Sequence, residues 1–145
     1  MAKVTTAEDL GIDLTGGGAE ALYRWFLASM LFGRPIRQEQ AAETYRALEK
    51  AGLTSPKRFA EHDREGLRHI LDQGGYGRFD YQMTDALHET MATIAESHGS
   101  VSELVKHAQS RADLEKKLDE LKGVGPKTIE IFLREVPAEI VGSAH

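Results

Sequence analysis

The segment Leu121-Lys122-Gly123-Val124-Gly125-Pro126-Lys127-Thr128 decides the reading of this chain. Apolar residues recur at helical spacing on both sides of it: Leu114, Leu118 and Leu121 before, Ile129, Phe132, Leu133 and Val136 after. That periodicity predicts helices over 111–121 and 126–136. The segment between them, residues 121–127, is then a short hairpin. Gly123 and Gly125 let the backbone turn tightly, tolerating positive φ and the close approach of a neighbour. Val124 between them is placed to plug into the helix pair. Pro126 suits a first helical turn, where its missing N–H costs nothing. The remaining free N–H groups of the hairpin and of that first turn point outward. Together with the positive end of the helix dipole they make an anion site, which a nucleic-acid phosphate fits.

Five more helices are expected upstream. Leu22, Trp25, Phe26, Ser29 and Met30 share one face of a helix over 18–32. Ala41, Tyr45 and Leu48 do so over 37–51, and Leu67, Ile70 and Leu71 mark a short helix. Met83, Leu87, Met91 and Ile94 define a long one over 79–97, and Val101, Leu104, Val105 and Ala108 another. The punctuation agrees. Gly33-Arg34-Pro35 separates the first two helices, and Ser55-Pro56 opens the next with a cap-like residue before proline. Gly74-Gly75-Tyr76-Gly77 is a turn. Gly99 is a stop, followed by Ser100 with Glu103 as a capping box. The chain holds 32 Ala and Leu against 13 Val and Ile, which favours helix over strand. The expected fold is an all-α, single-domain bundle of about seven helices over 18–145. Residues 1–17, ending in a glycine run, read as a flexible N-terminal arm.

Composition narrows the function classes. With 145 residues and no Cys, a disulfide scaffold, a Cys-ligated cluster and a cysteine nucleophile are excluded. No signal-peptide pattern or membrane-length apolar run is present, so a soluble cytoplasmic protein with no membrane partner is expected. The net charge of −5 excludes a polybasic mode of nucleic-acid binding, but not one built on backbone amides. The charge is also uneven. Residues 34–78 carry nine basic and seven acidic side chains, residues 79–110 one basic and five acidic. A DNA-facing surface would therefore lie near the loops of the first half and the hairpin. The six His show no metal-ligand spacing, and no phosphate loop or Ser-His-Asp set is present. Trp25, Met30, Met83 and Met91 sit at core spacing.

The hairpin segment resembles the helix-hairpin-helix motif of DNA repair proteins. Trp25 to Leu31 is similar to the buried first helix of endonuclease III-like DNA glycosylases. Ile70-Leu71-Asp72-Gln73-Gly74-Gly75-Tyr76 resembles their Gly-Tyr turn, and Tyr81 to Ile94 the helix after it. The likeness spans about residues 20–136. It implies a small member of that superfamily, a base-excision-repair protein binding double-stranded DNA, damaged or abasic. Gly123, Val124 and Gly125 with the flanking Lys122 and Thr128 would hold the backbone. Arg34 stands where family members insert a side chain into the base stack, and Tyr76 is a candidate for stacking. Lys127 occupies the position of the family's Schiff-base nucleophile. Its place in a helix first turn disfavours an ammonium, and partial burial would act in the same direction. The resemblance also implies a monovalent cation, K or Na, on the backbone carbonyls of Asp119, Leu121 and Val124, and no other cofactor.

Two family features are missing. Counting from Pro137, Gly142 stands where the catalytic aspartate is expected, and Glu135 and Glu139 are the nearby carboxylates. The cluster-binding segment is absent, as zero Cys requires, and with it one wall of the usual cleft. Ile129 replaces the small residue that usually follows the Lys-Thr pair. The implied activity is abasic-site lyase or glycosylase chemistry through Lys127, the lyase being less demanding because no base has to be expelled. The alternatives are a non-catalytic DNA-binding scaffold and a helical protein–protein interaction domain whose acidic 79–110 face docks a partner.

Overall fold

The computed structural model describes residues 6–16, 18–34, 36–74 and 80–143. Among them lie seven α-helices, two 3-10 helices and no strand. The α-helices are α1 (Ala19–Phe32), α2 (Gln38–Lys50), α3 (Arg64–Gln73), α4 (Asp80–Ser97), α5 (Val101–His107), α6 (Arg111–Asp119) and α7 (Pro126–Glu135). The all-α expectation and the seven helical stretches read from periodicity hold, with ends shifted by a residue or two. The local start of one element differs. Ser55-Pro56 opens a 3-10 helix, Pro56–Glu61, and Ser55 makes no cap bond. The capped α-helix begins later, where the Asp63 carboxylate accepts the Gly66 N–H at 2.7 Å.

α1 is the axis of the molecule. Every residue from Trp25 to Phe32 is buried, because this helix is apolar nearly all round and has neighbours on several sides. It packs against α2, α5 and α7. The Trp25 indole N–H donates to the Phe132 carbonyl at 3.2 Å, and the Phe26 and Phe132 rings meet edge to face at 5.4 Å. Trp25, Met30, Met83 and Met91 are all core residues, at 1% exposure or less. α4 packs on α3 and on the second 3-10 helix, and α2 on α3. Gly99 ends α4 at φ +85, and the Ser100 hydroxyl accepts the Glu103 N–H at 3.0 Å. Ser110 caps α6 through the Asp113 N–H at 3.1 Å. The Asp113 carboxylate reaches back to the Gln109 N–H at 2.8 Å. That bond, with Lys117 at 3.1 Å, holds its carboxyl below the usual range.

Residues 6–16 do not trail from the body as an arm. Ala7, Ile12 and Leu14 are buried in the common core, and the Ala7 N–H donates to both carboxylate oxygens of Glu135 at 3.1 Å. The apolar residues are spaced irregularly there, so periodicity gave no sign of this docking. Residues 1–5 and 17 lie outside the described residues.

Two buried tyrosines separate cleanly by what their hydroxyls meet. Tyr23 donates to the Leu53 carbonyl at 2.6 Å, whereas the Tyr45 hydroxyl is buried with no partner among the described residues. An unsatisfied buried hydroxyl costs about 1–3 kcal/mol. Tyr45→Phe is therefore expected to leave stability unchanged or raise it by about 1 kcal/mol, and Tyr23→Phe to lower it by a similar amount. Burial also pushes the Tyr45 phenol up to about 12, and Tyr23 further still. An unfolded tyrosine ionises near pH 10. The stability these groups contribute is thus complete below about pH 10 and is lost as pH rises through their folded values. Urea midpoints at pH 8 and pH 11 should fall with pH in the wild type and fall less in Tyr45→Phe.

Candidate nucleic-acid interface

Residues 120–125 join α6 to α7. Leu114, Leu118 and Leu121 bury the approach, and Val124 is 6% exposed, the plug its position between two glycines called for. The Val124 N–H closes a turn onto the Leu121 carbonyl at 3.1 Å.

The two glycines divide the jobs read from the sequence: the close approach holds at Gly123, the positive φ at neither. Gly123 is pressed against α4: a Cβ built there would lie 2.1 Å from the Thr90 Oγ1 and 2.6 Å from the Ala86 carbonyl oxygen. Its smallness lets the hairpin lie on α4. Gly125 is the N-cap residue of α7, extended at φ −99 and ψ 175, and a Cβ there would meet nothing within 4 Å. No side chain caps α7. Pro126 has no N–H, and the Ile129 N–H is satisfied by the Gly125 carbonyl at 3.1 Å. That leaves the Lys127 and Thr128 amides as the orphan donors of the first turn.

Thr128 is 5% exposed and faces inward, because Gly33 lies over it. A Cβ on Gly33 would fall 2.2 Å from the Thr128 Oγ1 and 3.1 Å from its backbone N. The C-terminal end of α1 thus closes on the start of α7, and the open edge is the one at Gly125 and Lys127. The same contact brings in Arg34, half-buried in the α1–α2 connection with its N–H on the Leu31 carbonyl at 3.2 Å. Gly33, the residue before Arg34, and Thr128 at the start of α7, remote in sequence, are thus neighbours. Lys122 is exposed and sits 3.6 Å from Glu89 on α4. Tyr76 lies outside the described residues.

Lys127 is exposed and has no ion-pair partner among the described residues, so it lacks the burial that would help activate its amine. Glu135 is at the other end of α7, about 12 Å along the axis, and is occupied by the Ala7 amide. Glu139 is exposed beyond that same end. Gly142 is held at φ +77 with its N–H on the Val105 carbonyl at 3.2 Å, and a Cβ there would fall 2.9 Å from the Ala108 carbonyl oxygen. A side chain in place of Gly142 would be strained twice, by φ and by contact. Among the described residues, no group of three or more His, Asp and Glu is arranged to hold a metal, and no helix is long and apolar enough to cross a membrane.

Sequence reasoning placed the hairpin and Lys127, but missed Gly33 on Thr128, Gly123 on Thr90 and Glu135 on Ala7. None has a local signal, since each joins residues far apart in the chain. In comparison with known proteins, no family model, no curated protein and no solved structure matches this chain.

The glycine geometry gives a direct contrast. Gly123→Val should destabilise the fold by about 2 kcal/mol or more, because backbone and a buried threonine must move. Gly125→Ala should cost no more than about 1 kcal/mol, the loss of a glycine cap. Urea denaturation of both variants measures it, and equal midpoints would contradict the assignment.

Proposed function

We propose that this chain is a DNA-binding protein of base-excision-repair type, a small relative of the helix-hairpin-helix glycosylases. It holds one duplex phosphate on the amides around Gly125 and Lys127. The observation that carries the reading is the uncapped N-terminus of α7 behind a tight turn, with an exposed lysine in its first turn. Backbone donors and the helix dipole supply the attraction, so the −5 net charge is no obstacle. A monovalent cation on the carbonyls of Asp119, Leu121 and Val124 belongs to the same reading. The Leu121 carbonyl already accepts the Val124 N–H and keeps a second lone pair for it.

The chemistry proposed is abasic-site lyase activity. The Lys127 amine attacks the C1′ aldehyde of a ring-opened abasic sugar. Nitrogen gains the bond to carbon, the carbonyl oxygen leaves as water after taking up two protons, and an imine remains. Excision of an intact base is less well supported, since Gly142 offers no carboxylate and Glu135 is engaged. That same pair of observations favours a second reading, a scaffold that binds DNA without cutting it.

Incubation with an abasic duplex followed by borohydride separates the two. The expected result is a covalent adduct, formed by reduction of the imine and abolished by Lys127→Ala with binding retained. Binding without an adduct selects the scaffold. No duplex binding even at low salt removes both. Because few phosphates are engaged, the log–log salt slope is expected to be no steeper than about −3.

A further inference from the structure

α7 shows solvent a narrow face. Pro126, Lys127, Glu130 and Arg134 are exposed, whereas Thr128, Ile129, Ile131, Phe132 and Leu133 are buried. Glu130 is therefore the exposed carboxylate of this helix, since Glu135 is half-buried and holds the Ala7 amide. Residues three apart on a helix lie side by side, their Cβ atoms about 5–6 Å apart. Cα–Cβ bonds tilt toward the helix N-terminus, so a side chain at 130 leans toward Lys127 and the amide edge.

The fold itself gives Glu130 no task. It stands beyond the first turn and caps nothing. Arg134 follows four residues later, at the usual pairing distance on a helix. Glu130 nevertheless has no ion-pair partner among the described residues.

The lyase chemistry needs a second group. Attack by Lys127 at C1′ ends at an imine, and cutting the strand then requires a proton to leave C2′. Gly142 provides no base, and Glu135 is at the far end of α7. Given the lyase reading of Lys127, on which this assignment rests, we infer that the Glu130 carboxylate is the general base of that second step. The protonated imine draws electrons from the C2′–H bond. A Glu130 oxygen takes the proton, and the C–H pair becomes the C2′–C3′ π bond. The C3′–O bond breaks, its pair leaving with the 3′ phosphate. Water then adds to the imine and frees Lys127, the sugar departing as an unsaturated aldehyde.

Single-turnover assays on an end-labelled abasic duplex read two products, the borohydride-trapped adduct and the cut strand. For Glu130→Gln the expected result is an adduct yield within about threefold of wild type and strand cutting about 100-fold slower, the size of a general-base contribution. Glu130→Ala should recover part of its rate with added formate, which supplies a carboxylate in the space left. Glu115→Gln, on α6, should cut at the wild-type rate. Full-speed cutting by Glu130→Gln, or a loss in Asp119→Asn instead, overturns the assignment and leaves Lys127 in place. An equal loss of adduct and cutting in Glu130→Gln also overturns it, because the residue then acts before the imine forms. A wild type that gives no adduct removes the lyase reading itself, and this assignment with it.

Discussion

The contact of Gly33 with Thr128 sets the position of everything near the hairpin. It joins the C-terminal end of the central helix to the N-terminal end of the last one, at a distance that no side chain on residue 33 would allow. The same device appears twice more. Gly74 at the end of α3 meets Thr44 of α2, where a Cβ would fall 2.6 Å from the Thr44 Cα. The Thr44 hydroxyl lies 2.9 Å from the Gln40 carbonyl and 3.2 Å from that of Gly74. Gly123 meets Thr90 of α4. At each junction a glycine removes the Cβ that would hold a loop or helix end off its neighbour. The three buried threonines are the surfaces on which connections rest.

Electrostatics play a secondary part in holding this fold. Several ion pairs, such as Arg58–Glu61 and Arg64–Asp85, sit at the surface, where each is worth about 1 kcal/mol or less. The most developed group clasps α3 to α4. Arg64 grips Asp85 at 2.9 and 3.0 Å, Arg64 and Arg68 both lie over the Tyr81 ring, and the Tyr81 hydroxyl donates to Glu65 at 2.8 Å. That hydrogen bond, with Arg68, holds the Glu65 carboxyl below its usual range. Both arginines of this clasp are paired internally. A surplus of lysine and arginine facing one way is therefore not the feature on which the proposed phosphate contact rests. It rests on amides left over where α7 begins.

The carboxylate question has a physical answer in the backbone. The position where an endonuclease III-like pattern calls for aspartate is occupied by a glycine in a left-handed conformation, pressed on the Ala108 carbonyl. One alternative carboxylate, Glu135, spends both oxygens on the N-terminal segment. Glu135 is thus engaged in closing the fold around α7 rather than free for general acid–base chemistry.

Local sequence determined the helices, because amphipathic spacing and punctuation are properties of neighbouring residues. The Leu114, Leu118, Leu121 and Ile129, Phe132, Leu133 patterns placed α6 and α7, and Pro126 marked the first turn of α7. The burial of Val124 and of Trp25 was also legible. Tertiary structure alone decided the rest. Nothing local says that Gly123 is a packing glycine while Gly125 is a free one, since the two differ only in what stands opposite them. Nor does a glycine run at 16–18 reveal that Ala7, Ile12 and Leu14 dock into the core, with Glu135 fixing the Ala7 amide. Close approach is a relation between distant residues, and here it decided which hairpin groups are left facing solvent.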